Sequence, residues 1–280
     1  EQVSLTGGEA LAHPRLDQLM DILKHKGIKA NVSTNGVFIE RKLETLKAFD
    51  HVNVSMDGYD YKSFKKYRGG SKSEYEKIIH GLDLLRENNI AFGNSFVLSE
   101  ENVHEVSLML EFAYGTRPSL VTFRNISPQG CQDFTPLIAS SARVQRMLRE
   151  VTSRNDYPFD VGLPVIIDPE SKGFASQKCP QPWTMACFND KGHSAYCCYL
   201  DHDPAIGNMF QGYDFNSENM RDFRRRMIEH EYPEDSCRSC SLRFMGQEYG
   251  YFHASRGKWA LQGLIRPGKK VIPLAHSNIV

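Results

Sequence analysis

The chain has 280 residues, 40% hydrophobic and 24% charged, and its 34 basic and 34 acidic side chains balance to a formal net charge of zero. Dispersed basic residues argue against a general nucleic-acid or anionic-membrane surface, and no apolar run is long enough to span a bilayer. Seven cysteines without an apolar secretory stretch argue against an extracellular disulfide framework and for a reducing cytoplasm, with a small molecule or a peptide as partner.

Residues 3–5 read as a short strand running into Gly7-Gly8-Glu9, after which Pro14 opens a helix with Leu16, Leu19, Met20 and Leu23 on one face and Gly27 at its end. Residues 28–33 read as the second strand, before Asn35-Gly36, and Ile39, Leu43 and Leu46 line the helix that follows. The third strand, 51–55, precedes a longer helix marked by Tyr75, Ile78, Ile79 and Leu82. The fourth, 90–98, leads to a helix with Val103, Val106 and Leu110, and the fifth, 120–126, to one with Val144, Met147, Leu148 and Val151. Residues 159–167 read as a last strand. Such repetition predicts an α/β fold, a parallel sheet with helices outside, and right-handed crossovers allow an open doubly wound sheet or a closed or partial barrel.

Polar and glycine residues punctuate the strand ends at Gly7-Gly8-Glu9, Ser33-Thr34-Asn35-Gly36, Ser55-Met56-Asp57-Gly58 and Ser127-Pro128-Gln129-Gly130. Any one of these is ordinary turn chemistry. Their recurrence matters more, because the carboxyl ends of parallel strands converge on one face, where ligand sites are built.

From residue 172 the strand-helix repetition stops. Residues 172–245 read as a small cysteine-bearing second domain after a main domain at 1–171, with one helix carrying Met220, Phe223, Met227 and Ile228 behind Ser217 as its cap. The tail at 246–280 carries Tyr249, Tyr251, Phe252 and Trp259 and is expected to pack back on the main domain. Twelve residues separate Cys179 from Gly192, four separate Gly192 from Cys197, and two separate Cys237 from Cys240. The Cys-x-x-Cys pair can clasp one ion or cluster, and two distant cysteines complete a four-sulfur shell if the fold gathers them; structural zinc is one occupant of such a shell.

These motifs resemble the radical S-adenosylmethionine enzymes, in the branch with a SPASM or shorter twitch domain. The resemblance implies a partial (β/α)6 TIM-like barrel with a small C-terminal cysteine-rich, cluster-binding domain. It assigns Gly7, Gly8 and Glu9 to the family's Gly-Gly-Glu motif, which meets the methionine amino group, and Ser33, Asn35, Ser55 and Asp57 to the next two strand ends around the ribose and methionine portions. Arg68 falls at the position of an arginine that pairs with the ligand carboxylate, a task suited to a planar guanidinium fork. The cysteine pattern is similar to the twitch pattern and implies one auxiliary 4Fe-4S cluster on Cys179, Cys197, Cys237 and Cys240 rather than zinc. Cys198 leaves the second ligand ambiguous by one residue, with the Gly192 spacing favouring Cys197, and Cys187 reads as a buried or free thiol.

The family's Cys-x-x-x-Cys-x-x-Cys loop, which holds the 4Fe-4S cluster that cleaves S-adenosylmethionine, belongs upstream of Gly-Gly-Glu, and the sequence begins at Glu1. The expectation is a segment upstream that carries those ligands; the alternative is a degenerate relative that binds metal without catalysing. With both clusters the family's chemistry implies a 5'-deoxyadenosyl radical, hydrogen abstraction, and oxidation of an alcohol on a sugar or aminocyclitol, as in enzymes resembling 2-deoxy-scyllo-inosamine dehydrogenase, fed by flavodoxin or ferredoxin. Arg124 on the fifth strand is a candidate substrate contact, with a barrel-wall ion pair as the other reading. An epimerase or peptide-modifying enzyme on the same scaffold is the alternative reaction, in which Cys131 donates a hydrogen atom.

Overall fold

The computed structural model describes residues 2–126, 133–138, 140–154, 156–164, 166, 179, 181–229 and 237, and the backbone of 264–265. In chain order the first elements are β1 (Gln2–Leu5), α1 (Leu16–His25), β2 (Lys29–Thr34), α2 (Leu43–Leu46), β3 (His51–Ser55), α3 (Tyr61–Arg68), α4 (Lys72–Glu87), β4 (Phe92–Leu98), α5 (Val106–Thr116), β5 (Leu120–Asn125), α6 (Ala142–Thr152) and β6 (Asp160–Gly162). There follow α7 (Gln181–Thr184), β7 (Cys187–Phe188), β8 (Ser194–Ala195), α8 (Glu218–Ile228) and β9 (Leu264–Ile265). They fall into two compact units, one holding β1 to β6 with β9, the other α7, β7, β8 and α8. The expected boundaries at 171 and 245 lie outside the described residues. No helix among those residues is long and apolar enough to cross a membrane.

In the first unit β1 to β6 run parallel in chain order, as the alternating pattern predicts, and β9 adds an antiparallel pair, Val161 with Ile265. The register aligns Val32 with Val52, Val54 with Asn94, Phe96 with Phe123 and Val121 with Val161. The valines and phenylalanines of that set are at most 1% exposed, and burying each contributes about 1.5–3 kcal/mol. Because side chains alternate across a strand, the other face carries Ser33, Asn53 and Gly93 in one row and Ser55, Ser95 and Thr122 in the next. Parallel sheets are usually apolar on both faces, so this polar face is the unusual one.

The last strand is three residues long, not the expected 159–167: Leu163 and Pro164 leave the ladder, where a proline has no N–H to donate. Helix α3 was not anticipated by periodicity, because Phe64 is its single buried apolar side chain. It is fixed at its start by a capping box between Asp60 and Ser63 and at its end by Gly69 at φ 77°. The apolar stripes are also narrower than their spacing implies, with Leu19 and Ile228 left 36% and 50% exposed.

In the second unit β7 and β8 form a hairpin, with Asn189 Oδ1 accepting the N–H groups of Lys191 and His193, each at 3.0 Å. Gly192 closes that turn at φ 77°, a left-handed dihedral that favours glycine, and a Cβ there would stand 2.5 Å from the ring of exposed Phe210. Ser217 caps α8 as expected, its Oγ accepting from Met220 N at 3.4 Å. Buried Arg224 donates to Pro182 O (2.8 Å), Asn216 Oδ1 (2.8 Å) and Phe215 O (2.9 Å) and lies over the Phe215 ring.

His51 begins β3 with its ring against Gly93, where a Cβ would lie 3.0 Å from the imidazole Cε1. Burial pushes its pKa below 6.5. Between that lowered value and 6.5 the unfolded chain holds more protons than the fold, so stability falls as pH drops through this window. Thermal melts from pH 7.5 to pH 5 are expected to show this loss in the wild type and a shallower one in His51→Gln; parallel profiles would remove His51 from the pH dependence.

Candidate active site at the strand ends

The carboxyl ends of β1 and β2 are tied by Glu9. Its Oε1 accepts from Leu11 N (2.9 Å) and Thr34 Oγ1 (2.7 Å), and its Oε2 accepts from Asn35 N (2.7 Å). The family resemblance assigns this carboxylate to a ligand; in the fold it also accepts from three donors of its own chain. Buried Thr34 passes the link on by accepting from Gly36 N, and Asn35 Oδ1 accepts from Val37 N, which shapes the turn after β2. Gly7 and Gly8 are exposed beside this junction, with Gly7 at φ 117°. Ser33 and Ser55 are half-buried on the polar face.

Asp57 does similar work between β3 and β4. It takes a left-handed φ of 53°, which turns its carboxylate so that Oδ1 accepts from Val97 N (2.8 Å) and Oδ2 from Arg68 Nη1 (2.6 Å). Burial pushes its carboxyl up from the usual range, while the charge of Arg68, the Val97 N–H, the Arg68 hydrogen bond and the more distant charge of Arg124 pull it back. Arg68 is therefore paired within the chain. It also lines, with Asn35, a cavity of about 130 Å³ that reaches Gly70 and Glu74. Arg124 stands opposite Val97 in the ladder, exposed, with no hydrogen bond or ion pair among the described residues.

The structure adds residues that no sequence motif marked. Phe64 is wedged between two glycines: a Cβ on Gly58 would lie 2.3 Å from Phe64 N, and one on Gly70 would lie 2.2 Å from its ring. Tyr67, beside Arg68, donates to Glu105 Oε1 at 3.0 Å and ties α3 to the start of α5. The glycines at 58 and 70, one directly after Asp57 and the other two residues after Arg68, were the available signal.

Of the expected cluster ligands, Cys179 is buried in a cluster with Phe223 and Met227, against which Tyr196 and Leu200 pack. Cys197 is half-buried and its Sγ accepts from Tyr199 N at 3.5 Å. Burial raises its pKa, opposed by the N–H groups of Tyr199 and Leu200. Cys198 is exposed. Burial, with Cys198 and Cys197 nearby, pushes the Cys187 thiol up to about 12. Cys237 is half-buried; Cys240 and Cys131 lie outside the described residues. Among the described residues no three His, Cys, Asp or Glu side chains are grouped to hold a metal ion.

Residues 1–113, which contain β1 to β4 and both carboxylate ties, match the family model described as the Radical SAM superfamily. The probable GTP 3',8-cyclase of Methanosarcina acetivorans is 29% identical over 160 residues, 54% of this chain and 46% of that protein. The PqqA peptide cyclase of Gluconobacter oxydans is 30% identical over 115 residues, 40% of this chain and 32% of that one. The chain thus spans less than half the length of these curated relatives. The crystal structure of Streptococcus suis SuiB bound to S-adenosylmethionine is similar in fold, with a TM-score of 0.56 at 16% identity over 86% of this chain and 60% of that one. The six parallel strands with their helices form an α/β sheet similar in fold to that of SuiB.

Two substitutions test this geometry. Gly58→Ala places a methyl group inside contact distance of backbone and is expected to destabilise the fold by about 1–3 kcal/mol in chemical denaturation; an unchanged midpoint would mean the loop has room. Glu9→Gln keeps the shape but weakens charge-assisted bonds to Leu11, Thr34 and Asn35. It is expected to cost about 1–3 kcal/mol by the same measurement, and a neutral result would place the carboxylate's importance in ligand contact alone.

Proposed function

We propose that this chain carries the S-adenosylmethionine-binding core and an auxiliary-cluster unit of a radical SAM enzyme. The observation that carries the reading is the match of residues 1–113 to the Radical SAM superfamily, over the strand ends that present Glu9, Asn35, Ser55 and Asp57. That family implies S-adenosylmethionine and a 4Fe-4S cluster, which when bound supply a 5'-deoxyadenosyl radical able to take a hydrogen atom from an unactivated C–H bond.

The donor set fits the cofactor. Hydroxyl and amide groups of Ser33, Asn53, Ser55, Ser95 and Thr122 on one face suit a ribose and an amino-acid moiety, and the apolar face behind them keeps the strands rigid. Glu9 and Asp57 hold the loops that meet the ligand, and Asn35 and Arg68 line the cavity beside them. Orientation and exclusion of water are what a protein contributes to such chemistry.

For the second unit the proposed group is one auxiliary 4Fe-4S cluster on Cys179, Cys197, Cys237 and Cys240. The cysteine and glycine spacing supports it, and so does the N–H donor at Cys197 Sγ, since hydrogen bonds to sulfur suit a thiolate ligand. The proposed reaction is oxidation of an alcohol on a sugar or aminocyclitol to a ketone. With both groups bound, the substrate would give up a hydrogen atom, a hydroxyl proton and one electron, the auxiliary cluster serving as the electron acceptor, and the proposed external donor is flavodoxin or ferredoxin. Peptide modification is the second reading, favoured by the identity shared with PqqA peptide cyclase.

The test is iron, acid-labile sulfide and zinc content of anaerobically purified full-length protein. Removing Cys179, Cys197, Cys237 and Cys240 together is expected to lower iron by about four atoms per chain while the remaining cluster still yields 5'-deoxyadenosine. Zinc without iron would overturn both cluster assignments. A ketone product separates the oxidoreductase reading from a crosslinked or epimerised peptide.

A further inference from the structure

We propose that Arg124 is the anion receptor of the polar sheet face, holding a carboxylate or phosphate group of a molecule bound there. The inference rests on reading that face as the ligand face. Its basis is a local charge imbalance at the ends of β3, β4 and β5. Two guanidinium groups, Arg68 and Arg124, share the field of one carboxylate, Asp57. Both oxygens of that carboxylate are already engaged, Oδ1 by Val97 N and Oδ2 by Arg68 Nη1 at 2.6 Å. Arg124 is left with a full positive charge and a planar fork of donors that no described residue meets.

The surroundings of Arg124 select for an anion. In the ladder it lies opposite Val97, and the adjacent row of the same face carries Ser95 and Thr122, both neutral. None of these competes for the guanidinium, and the hydroxyls add donors beside it. Asp57 is anchored to the backbone of the residue paired with Arg124, so its carboxylate cannot swing over to Arg124 without breaking the β3–β4 tie. Arg68 and Arg124 thereby divide the labour: the first is a structural cation with its carboxylate in the fold, and the second awaits its carboxylate or phosphate from outside.

Two sources carry such a group, the methionine carboxylate of S-adenosylmethionine and an anionic substrate. Full-length wild type, Arg124→Gln and Arg124→Lys are titrated calorimetrically with S-adenosylmethionine and with its decarboxylated analogue, and inorganic phosphate binding is followed by phosphorus NMR line width. If the receptor serves the cofactor, Arg124→Gln weakens S-adenosylmethionine about tenfold and leaves the decarboxylated analogue unchanged. If it serves a substrate, both adenosyl ligands bind as to wild type and phosphate broadening is lost in Arg124→Gln and partly kept in Arg124→Lys. Melting temperatures of both variants are expected to match wild type, because the side chain is exposed and has no hydrogen bond or ion pair among the described residues. Wild-type binding of all three probes by Arg124→Gln overturns the proposal. A wild type that binds no S-adenosylmethionine would instead sink the cofactor reading and leave the phosphate arm to judge Arg124.

Discussion

The Asp57 carboxylate is the fixture on which the carboxyl end of the sheet depends. The β3–β4 ladder pairs Val52 to Ser55 with Phe92 to Ser95, and Met56 N still reaches Ser95 O. Beyond it β4 runs on while β3 ends, so the Val97 N–H needs another acceptor. Asp57 Oδ1 takes the place of the missing strand carbonyl, and the left-handed φ of 53° is what aims it there. Glu9 solves the same problem between β1 and β2, where Asn35 N lies one residue past the end of β2. In both places a side chain extends a parallel ladder that the backbone cannot continue. The loops above the sheet are held without further strand length, which leaves their other groups free to face a ligand.

That arrangement matters because the sheet has two different faces. Valines and phenylalanines on one side are sealed against the helices, while serine, asparagine, threonine and glycine rows line the other. A polar face on a parallel sheet wastes burial that an apolar one would supply, at about 25 cal/mol per Å². Such a cost is understandable where the face holds a polar ligand.

The strands at β2 and β3 were legible because each alternates a buried valine with a polar residue and stops at a turn signal. Helix α3 was not, since its stability comes from caps and from Phe64 seated between Gly58 and Gly70, and a single anchor leaves no periodic trace. The motif residues were legible as a set but not in their duties. Sequence cannot show that the Glu9 and Asp57 carboxylates also accept from neighbouring N–H groups, so their part as ties between strand ends was not legible. The same ambiguity covered Arg68 and Arg124, and the hydrogen bond at 2.6 Å separates Arg68 from Arg124, which has no such partner among the described residues. Gly192 was legible as spacing; the hairpin turn and the Phe210 ring supply the reason for it.

The second unit poses the opposite problem, because its described core is small. Cys179, Phe223 and Met227 form its buried cluster, with Tyr196 stacked on Phe223 at 4.1 Å between ring centroids. Each such side chain contributes about 1.5–3 kcal/mol, whereas ordering every residue of a turn-rich segment costs about 1–2 kcal/mol of backbone entropy. Arg224 offsets part of the difference by tying α7 and the chain before α8 through three hydrogen bonds. Its contribution is bounded, since burying a guanidinium carries its own desolvation cost. A segment of this kind gains most from a group that binds only the folded state. On the proposed ligand assignment, Cys179 within that apolar cluster and Cys197 just after Tyr196 would couple metal binding to the ordering of α8.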